Sequence, residues 1–112
     1  MLSQALIRAI GYSLVGLPVA AACAAESPTP QRQQELANLL QQDCGSCHGL
    51  QFKGGLGPPL LPDHLRGKSD SLLVDTILNG RTGTAMPPWR ALLTESEAAW
   101  LVERLRSNKT EP

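Results

Sequence analysis

The sequence predicts an all-α domain of three main helices and two long loops. Three segments, the first of them rich in good helix formers, repeat apolar residues at spacings of three and four. No segment shows the period-2 alternation of a half-buried strand. Between the helical segments, glycine and proline are too dense for regular structure.

The first helix is expected over residues 31–43. Leu36, Leu40, Cys44 and Cys47 follow at spacings of four, four and three, so they share one face. The two cysteines therefore extend the buried stripe at the C-terminal end of this helix. Residues 49–62 contain Gly49, Gly54, Gly55, Gly57, Pro58, Pro59 and Pro62. They form a long first loop, and long loops in small domains are often functional. Pro62 to Gly67 leaves room for one short helical turn. The second helix is expected over 70–78, capped by Ser69 or Asp70. Leu73, Val74, Ile77 and Leu78 form its apolar face, and Asn79-Gly80 stops it. The second loop runs from Gly80 to about Leu93 and holds Thr84-Ala85-Met86-Pro87-Pro88-Trp89. Thr94 and Glu97 have the spacing of a capping box, which opens a third helix running to about Arg106. Ala98, Leu101, Val102 and Leu105 share one face of it. Trp100 falls off that face, and periodicity does not place it.

The 112-residue chain allows at most one small domain. Its start has the three parts of a secretory signal peptide: a short segment with Arg8, an apolar run over 9–22, and small residues to Ala25. The apolar run is short for a transmembrane helix. Cleavage after Ala24 or Ala25 is expected, giving a leader over 1–25, a flexible lead-in over 26–30, a domain over 31–107 and a frayed tail over 108–112. The mature chain then has no transmembrane span and lies in the periplasm. Cys23 leaves lipid anchoring as the alternative, although position 20 is alanine where such signals carry leucine. Without Arg8, nine basic residues face ten acidic ones, and no basic block points to nucleic acid.

The expected mature part holds one phenylalanine, two tryptophans and two cysteines, Cys44 and Cys47. A domain this small has a marginal core, and such domains usually add disulfides, a metal or a cofactor. One Cys-x-x-Cys disulfide restrains only its own short loop. A large apolar cofactor placed centrally would complete the core.

The stretch Cys44-Gly45-Ser46-Cys47-His48 admits three chemistries. A thioredoxin-type dithiol opens a helix in a βαβ context, whereas this motif closes a helix in an all-α chain. A structural zinc site needs a second pair of ligands, and beyond the motif only His64 remains. Covalent haem c attachment fits without adjustment: both thiols form thioethers, and His48 reaches the iron as proximal ligand.

A six-coordinate iron needs one more donor. Met86 is the only methionine after the leader, and Pro87-Pro88 stiffens the chain beside it. His64, near a helix start, is the rival ligand, and His/His ligation would lower the potential relative to His/Met.

With CGSCH, GLGPPL and MPPW in this order, the chain resembles the small class I bacterial cytochromes c. The resemblance implies a compact class I cytochrome c fold around one covalently bound haem. It also implies that the Pro58 carbonyl bonds the proximal His48, that Leu60 packs on the haem, and that Met86 is the loop ligand. QDCGSCHGL, GGLGPPL, ILNGR and AMPPW together resemble the NirC-type monohaem cytochromes associated with cytochrome cd1 nitrite reductase. That narrower likeness implies electron donation to the nitrite reductase, or a part in maturing its d1 haem.

The function expected is one-electron transfer by a monomeric, non-enzymatic cytochrome that meets redox protein partners at its haem edge. Lys53, Arg66, Lys68, Arg81 and Arg90 outnumber Asp63, Asp70 and Asp75 between the motif and the third helix, which suggests a mildly basic docking rim. The alternatives are a haem enzyme or small-ligand-binding haem protein with a displaceable methionine, and an accessory module that binds haem or a partner.

Overall fold

The computed structural model describes residues 26–111. The expected leader, Cys23 included, and Pro112 lie outside the described residues. Those described form helices α1 (Pro30–Leu39), α2 (Gly45–His48), α3 (Pro62–Leu65), α4 (Asp70–Asn79) and α5 (Glu95–Arg106), with a π-helical turn, Leu40–Cys44, joining α1 to α2. No strand occurs among them, so the all-α expectation holds.

Each long helix opens on a capping side chain, and for the second and third these are caps the sequence named. The Thr29 hydroxyl accepts the Arg32 N–H at 3.3 Å, and Pro30 occupies the first helical position, where a missing N–H costs nothing. Ser69, rather than Asp70, caps α4, accepting the Leu72 N–H at 3.2 Å. At α5 the capping box is reciprocal: Thr94 Oγ1 accepts the Glu97 N–H at 3.2 Å, and Glu97 Oε2 accepts the Thr94 N–H at 2.9 Å.

The first helix differs from its expected end. Winding does not stop at residue 43 but continues through the π turn and α2 to His48. Residues four apart drift by about 40° around an α-helix. A wider π turn takes that drift back, so Leu40 remains buried and Cys44 packs, half-buried, against the same core.

Helix α5 packs against α1, α3 and α4. Ala98, Leu101, Val102 and Leu105 are all buried, as their periodicity predicts. They meet Leu36, Leu40, Phe52, Leu65, Val74, Leu78 and Leu93 in one cluster. Each large apolar side chain contributes about 1.5–3 kcal/mol on burial, against about 0.2–1 kcal/mol for an exposed ion pair. Packing therefore holds α5, while polar clamps fix its register. At one end, Arg32 Nε binds Glu97 Oε1 at 2.6 Å and Arg32 reaches the Leu92 carbonyl at 3.1 Å. At the other, Arg106 pairs with Asp70 at 2.6 Å and donates to the Leu65 and Lys68 carbonyls. Trp100, which periodicity left unplaced, is half-buried at the edge of the core, with the Arg104 guanidinium 4.8 Å from its ring centroid. That geometry is a cation–π contact.

Candidate haem site

The C-terminal end of α2 leaves carbonyls that the helix itself cannot satisfy. The first loop folds back to satisfy them. Gly57 N–H donates to the Cys47 carbonyl at 2.8 Å, and Gly54 N–H donates to the His48 carbonyl at 2.8 Å. Phe52 anchors the loop: it is buried, its N–H donates to Gly49 at 2.8 Å, and its carbonyl accepts from Leu60 at 2.9 Å. Its φ of 54° is a genuine outlier for a bulky residue, tolerated here because the side chain is locked in the core.

This loop fixes His48. Nδ1 lies 2.7 Å from the Pro58 carbonyl oxygen. A carbonyl only accepts, so Nδ1 carries the hydrogen and Nε2 keeps a free lone pair. Gly57 passes so close that a Cβ there would lie 2.8 Å from both Cε1 and Nδ1 of the ring. The ring is thus held by a hydrogen bond to Pro58 and by the close backbone of Gly57.

The second loop is fixed with equal economy. Arg81 N–H donates to the Met86 carbonyl at 3.2 Å. The Arg81 carbonyl accepts the Thr84 N–H at 3.1 Å and the Thr84 hydroxyl at 2.7 Å, while Met86 N–H reaches Thr84 Oγ1 at 3.3 Å. Beyond the two prolines, Trp89 and Arg90 donate to the Ile77 and Leu78 carbonyls at 3.0 and 3.1 Å. These bonds satisfy two of the last carbonyls of α4.

The two loops and α4 enclose an open cleft of about 780 Å³ over the core. Cys44, Cys47, His48, Pro58, Leu60 and Met86 all line it, so the structure brings together every residue singled out from the sequence. Leu73, Ile77, Trp89 and Leu101 make its walls apolar. His64 lines the cleft too, from the exposed surface of α3. Burial pushes the Cys44 thiol up to about 11, with neighbouring Asp43 adding to the effect. A thiol so placed stays protonated at neutral pH and is a poor redox nucleophile.

A cleft of this size, and mostly apolar, is of cofactor dimensions. Its donor set is two thiols on one helix end, an imidazole nitrogen with a free lone pair, and a thioether across the cleft. That set fits a covalently held haem, and Cys44, Cys47, His48 and Met86 are the residues that could hold it. Two positions that the sequence marked only as breakers prove to shape the site: Gly57 against His48, and Gly80 against Met86.

Fold and site together define a small c-type cytochrome. Residues 31–103 match the family described as cytochrome c oxidase, cbb3-type, subunit III, and the chain belongs to that family. Cytochrome c55X of Pseudomonas aeruginosa is 50% identical over 111 residues, covering 94% of this chain and 93% of the relative. The solved structure of the c-type cytochrome NirC is similar with a TM-score of 0.73 and 54% identity, over 76% of this chain and 100% of that one. The dihydro-haem d1 dehydrogenase NirN, in complex with DHE, is similar with a TM-score of 0.58 and 36% identity, over 62% of this chain and 15% of that one. The chain is thus a small, NirC-like haem protein of the electron-transfer class. Among the described residues no helix is long and apolar enough to cross a membrane.

Proposed function

We propose that the chain is a periplasmic one-electron carrier with a single haem c, attached through Cys44 and Cys47 and ligated by His48 and Met86. The supporting observation is that the free Nε2 of His48 and the braced Met86 loop belong to one apolar cleft with both cysteines. When bound, the haem iron supplies a one-electron ferric/ferrous couple.

The chain's own residues do the rest. The Pro58 carbonyl fixes the tautomer and direction of His48 and raises its basicity as a ligand. The four hydrogen bonds among Arg81, Thr84 and Met86 fix the backbone that carries the thioether, so changing oxidation state requires little rearrangement. Leu60, Leu73 and Ile77 give the cleft apolar walls, and thioether ligation in apolar surroundings raises the potential. The same bracing argues against a ligand-binding haem protein with an easily displaced methionine.

The export signal puts this carrier in the periplasm, with residues 26–112 as the mature chain. Its partners are redox proteins of the nitrite reductase system, supported by the similarity to NirC and NirN. Leu56 and Leu72, 78% and 52% exposed at the cleft mouth, suit a small transient interface. In the first arrangement the carrier donates to cytochrome cd1 nitrite reductase. A second reading is favoured by the likeness to dihydro-haem d1 dehydrogenase: dehydrogenation releases electrons, and this carrier accepts them one at a time during d1 haem maturation.

Stopped-flow mixing tests both. Reduced carrier mixed with oxidised nitrite reductase is expected to oxidise in a second-order reaction. Oxidised carrier mixed with the dehydrogenase and dihydro-haem d1 is expected to become reduced under the second reading. Failure of both exchanges by haem-loaded protein contradicts the assignment.

A further inference from the structure

Two cations line the cleft, Lys68 and Arg81. Lys68 Nζ is engaged by the His64 carbonyl at 2.9 Å. Of the other cations of the region, Arg66 pairs with Asp63 at 2.5 Å and Arg90 donates to Asn79 at 3.1 Å, while Lys53 does not line the cleft. The Arg81 guanidinium, by contrast, makes no hydrogen bond or ion pair among the described residues. Asp43, the acid on the cleft wall, does not pair with it.

The backbone of Arg81 is anything but free. Its N–H holds the Met86 carbonyl and its carbonyl holds both the N–H and the hydroxyl of Thr84. A pinned backbone with an uncommitted guanidinium beside a cofactor cleft is a site waiting for an anion. A haem brings two propionate carboxylates on one edge, and a carboxylate taken from water needs a paired charge and hydrogen bonds. A guanidinium offers a planar fork that takes a carboxylate through two parallel bonds.

We infer that Arg81 binds a haem propionate and so links that charge to the loop carrying Met86. This inference rests on the haem reading above. Arg81 is then a positioning residue: it acts on the iron through a carboxylate and through the Met86 loop. An unpaired carboxylate near the iron favours the ferric state, and pairing with a cation offsets that preference. Arg81 therefore raises the reduction potential.

The test uses the full chain with haem c matured, as wild type, Arg81→Gln, Arg81→Lys and Lys68→Gln. Spectroelectrochemistry gives the potential, and resonance Raman gives the propionate bending band. At the wild-type midpoint, Arg81→Gln is expected to raise the ferric-to-ferrous ratio roughly two- to fivefold, the size of a partly exposed ion pair. The propionate band shifts in both Arg81 variants, because lysine keeps the charge but loses the fork. Lys68→Gln changes the ratio less and leaves the band in place.

An unchanged ratio and band in haem-loaded Arg81→Gln overturns the inference. So does an equal ratio change in Lys68→Gln, which would signify general surface charge. If Arg81→Gln does not mature, an unchanged band in Arg81→Lys overturns it. A wild-type preparation that takes up no haem defeats the haem reading instead, so the two failures are distinguishable.

Discussion

Gly80 and Met86 meet through their backbones: a Cβ on Gly80 would lie 2.6 Å from the Met86 carbonyl oxygen. Gly80 also sits at a φ of 68°, where L side chains are strained. Gly80→Ala thus suffers twice, and the expected cost is about 2–4 kcal/mol from overpacking and backbone strain. The Met86 loop must move to relieve it. Thermal unfolding should show the loss, and the reduced variant should bind carbon monoxide, which the wild type is expected to exclude.

Gly57 and Gly45 make a contrasting pair. A Cβ at Gly57 meets the His48 ring at 2.8 Å, whereas one at Gly45 meets nothing nearer than 3.5 Å. Gly57→Ala is expected to cost about 1–3 kcal/mol, weaken the His48–Pro58 hydrogen bond and lower the yield of haem-loaded protein. Gly45 has helical backbone angles, so Gly45→Ala is expected to be neutral or to stabilise by up to about 1 kcal/mol. Parallel denaturant titrations separate the two outcomes, although Gly45 lies inside the motif and Gly57 outside it.

The Arg32–Glu97 clamp predicts a pH dependence. The Arg32 guanidinium holds the Glu97 carboxyl below the usual carboxylate range, with the Thr94 N–H adding to the effect. A depressed folded pKa contributes stability above the unfolded value, about 4.3, and loses it as pH falls through the folded value. Glu97→Gln is therefore expected to cost about 1–2 kcal/mol at neutral pH, the size of a cap plus a partly exposed pair. The difference from wild type should shrink steadily below about pH 4. A difference that does not change with pH contradicts the clamp's ionic character.

The cleft mouth predicts a salt effect. Asp63 pairs with Arg66 and Asp70 pairs with Arg106, so two of the three acids in the rim region are offset, leaving Lys53, Lys68, Arg81 and Arg90 without an acidic partner among the described residues. Electron exchange with an acidic partner face should slow as ionic strength rises past the point where the screening length reaches about 10 Å. A rate that salt does not change removes the basic rim from the account.

Much of this was legible in the sequence because its causes are local. Capping signals at Thr94–Glu97, four-residue spacing at Leu101–Leu105 and the CGSCH stretch each express themselves within a few positions. What escaped reading has causes distant along the chain. Arg32 looks like any helix arginine until α5 brings Glu97 beside it. Trp100 breaks the apolar stripe and is placed by Arg104 and the core edge together. Gly57 and Gly80 read as breakers, because the absence of a side chain does not say which backbone or ring will come close. The π turn at Leu40–Cys44 leaves no mark at all: it corrects an angular drift that only continuous winding into α2 creates. His64 was recognised as a rival ligand from type alone, and it does line the cleft. It sits on the exposed surface of α3, with its backbone tied to Leu61 and Lys68, whereas Met86 is held by Arg81 and Thr84 within the Pro-braced second loop.

The central claim is that His48 and Met86 hold the iron of a single haem c. Optical spectra of the matured chain test it most directly, with Met86→Ala alongside. The account predicts a far-red methionine-to-iron charge-transfer band in the oxidised wild type, lost in the variant, and no carbon monoxide binding by the reduced wild type. Absence of that band, or prompt carbon monoxide binding by the wild-type protein, would contradict it.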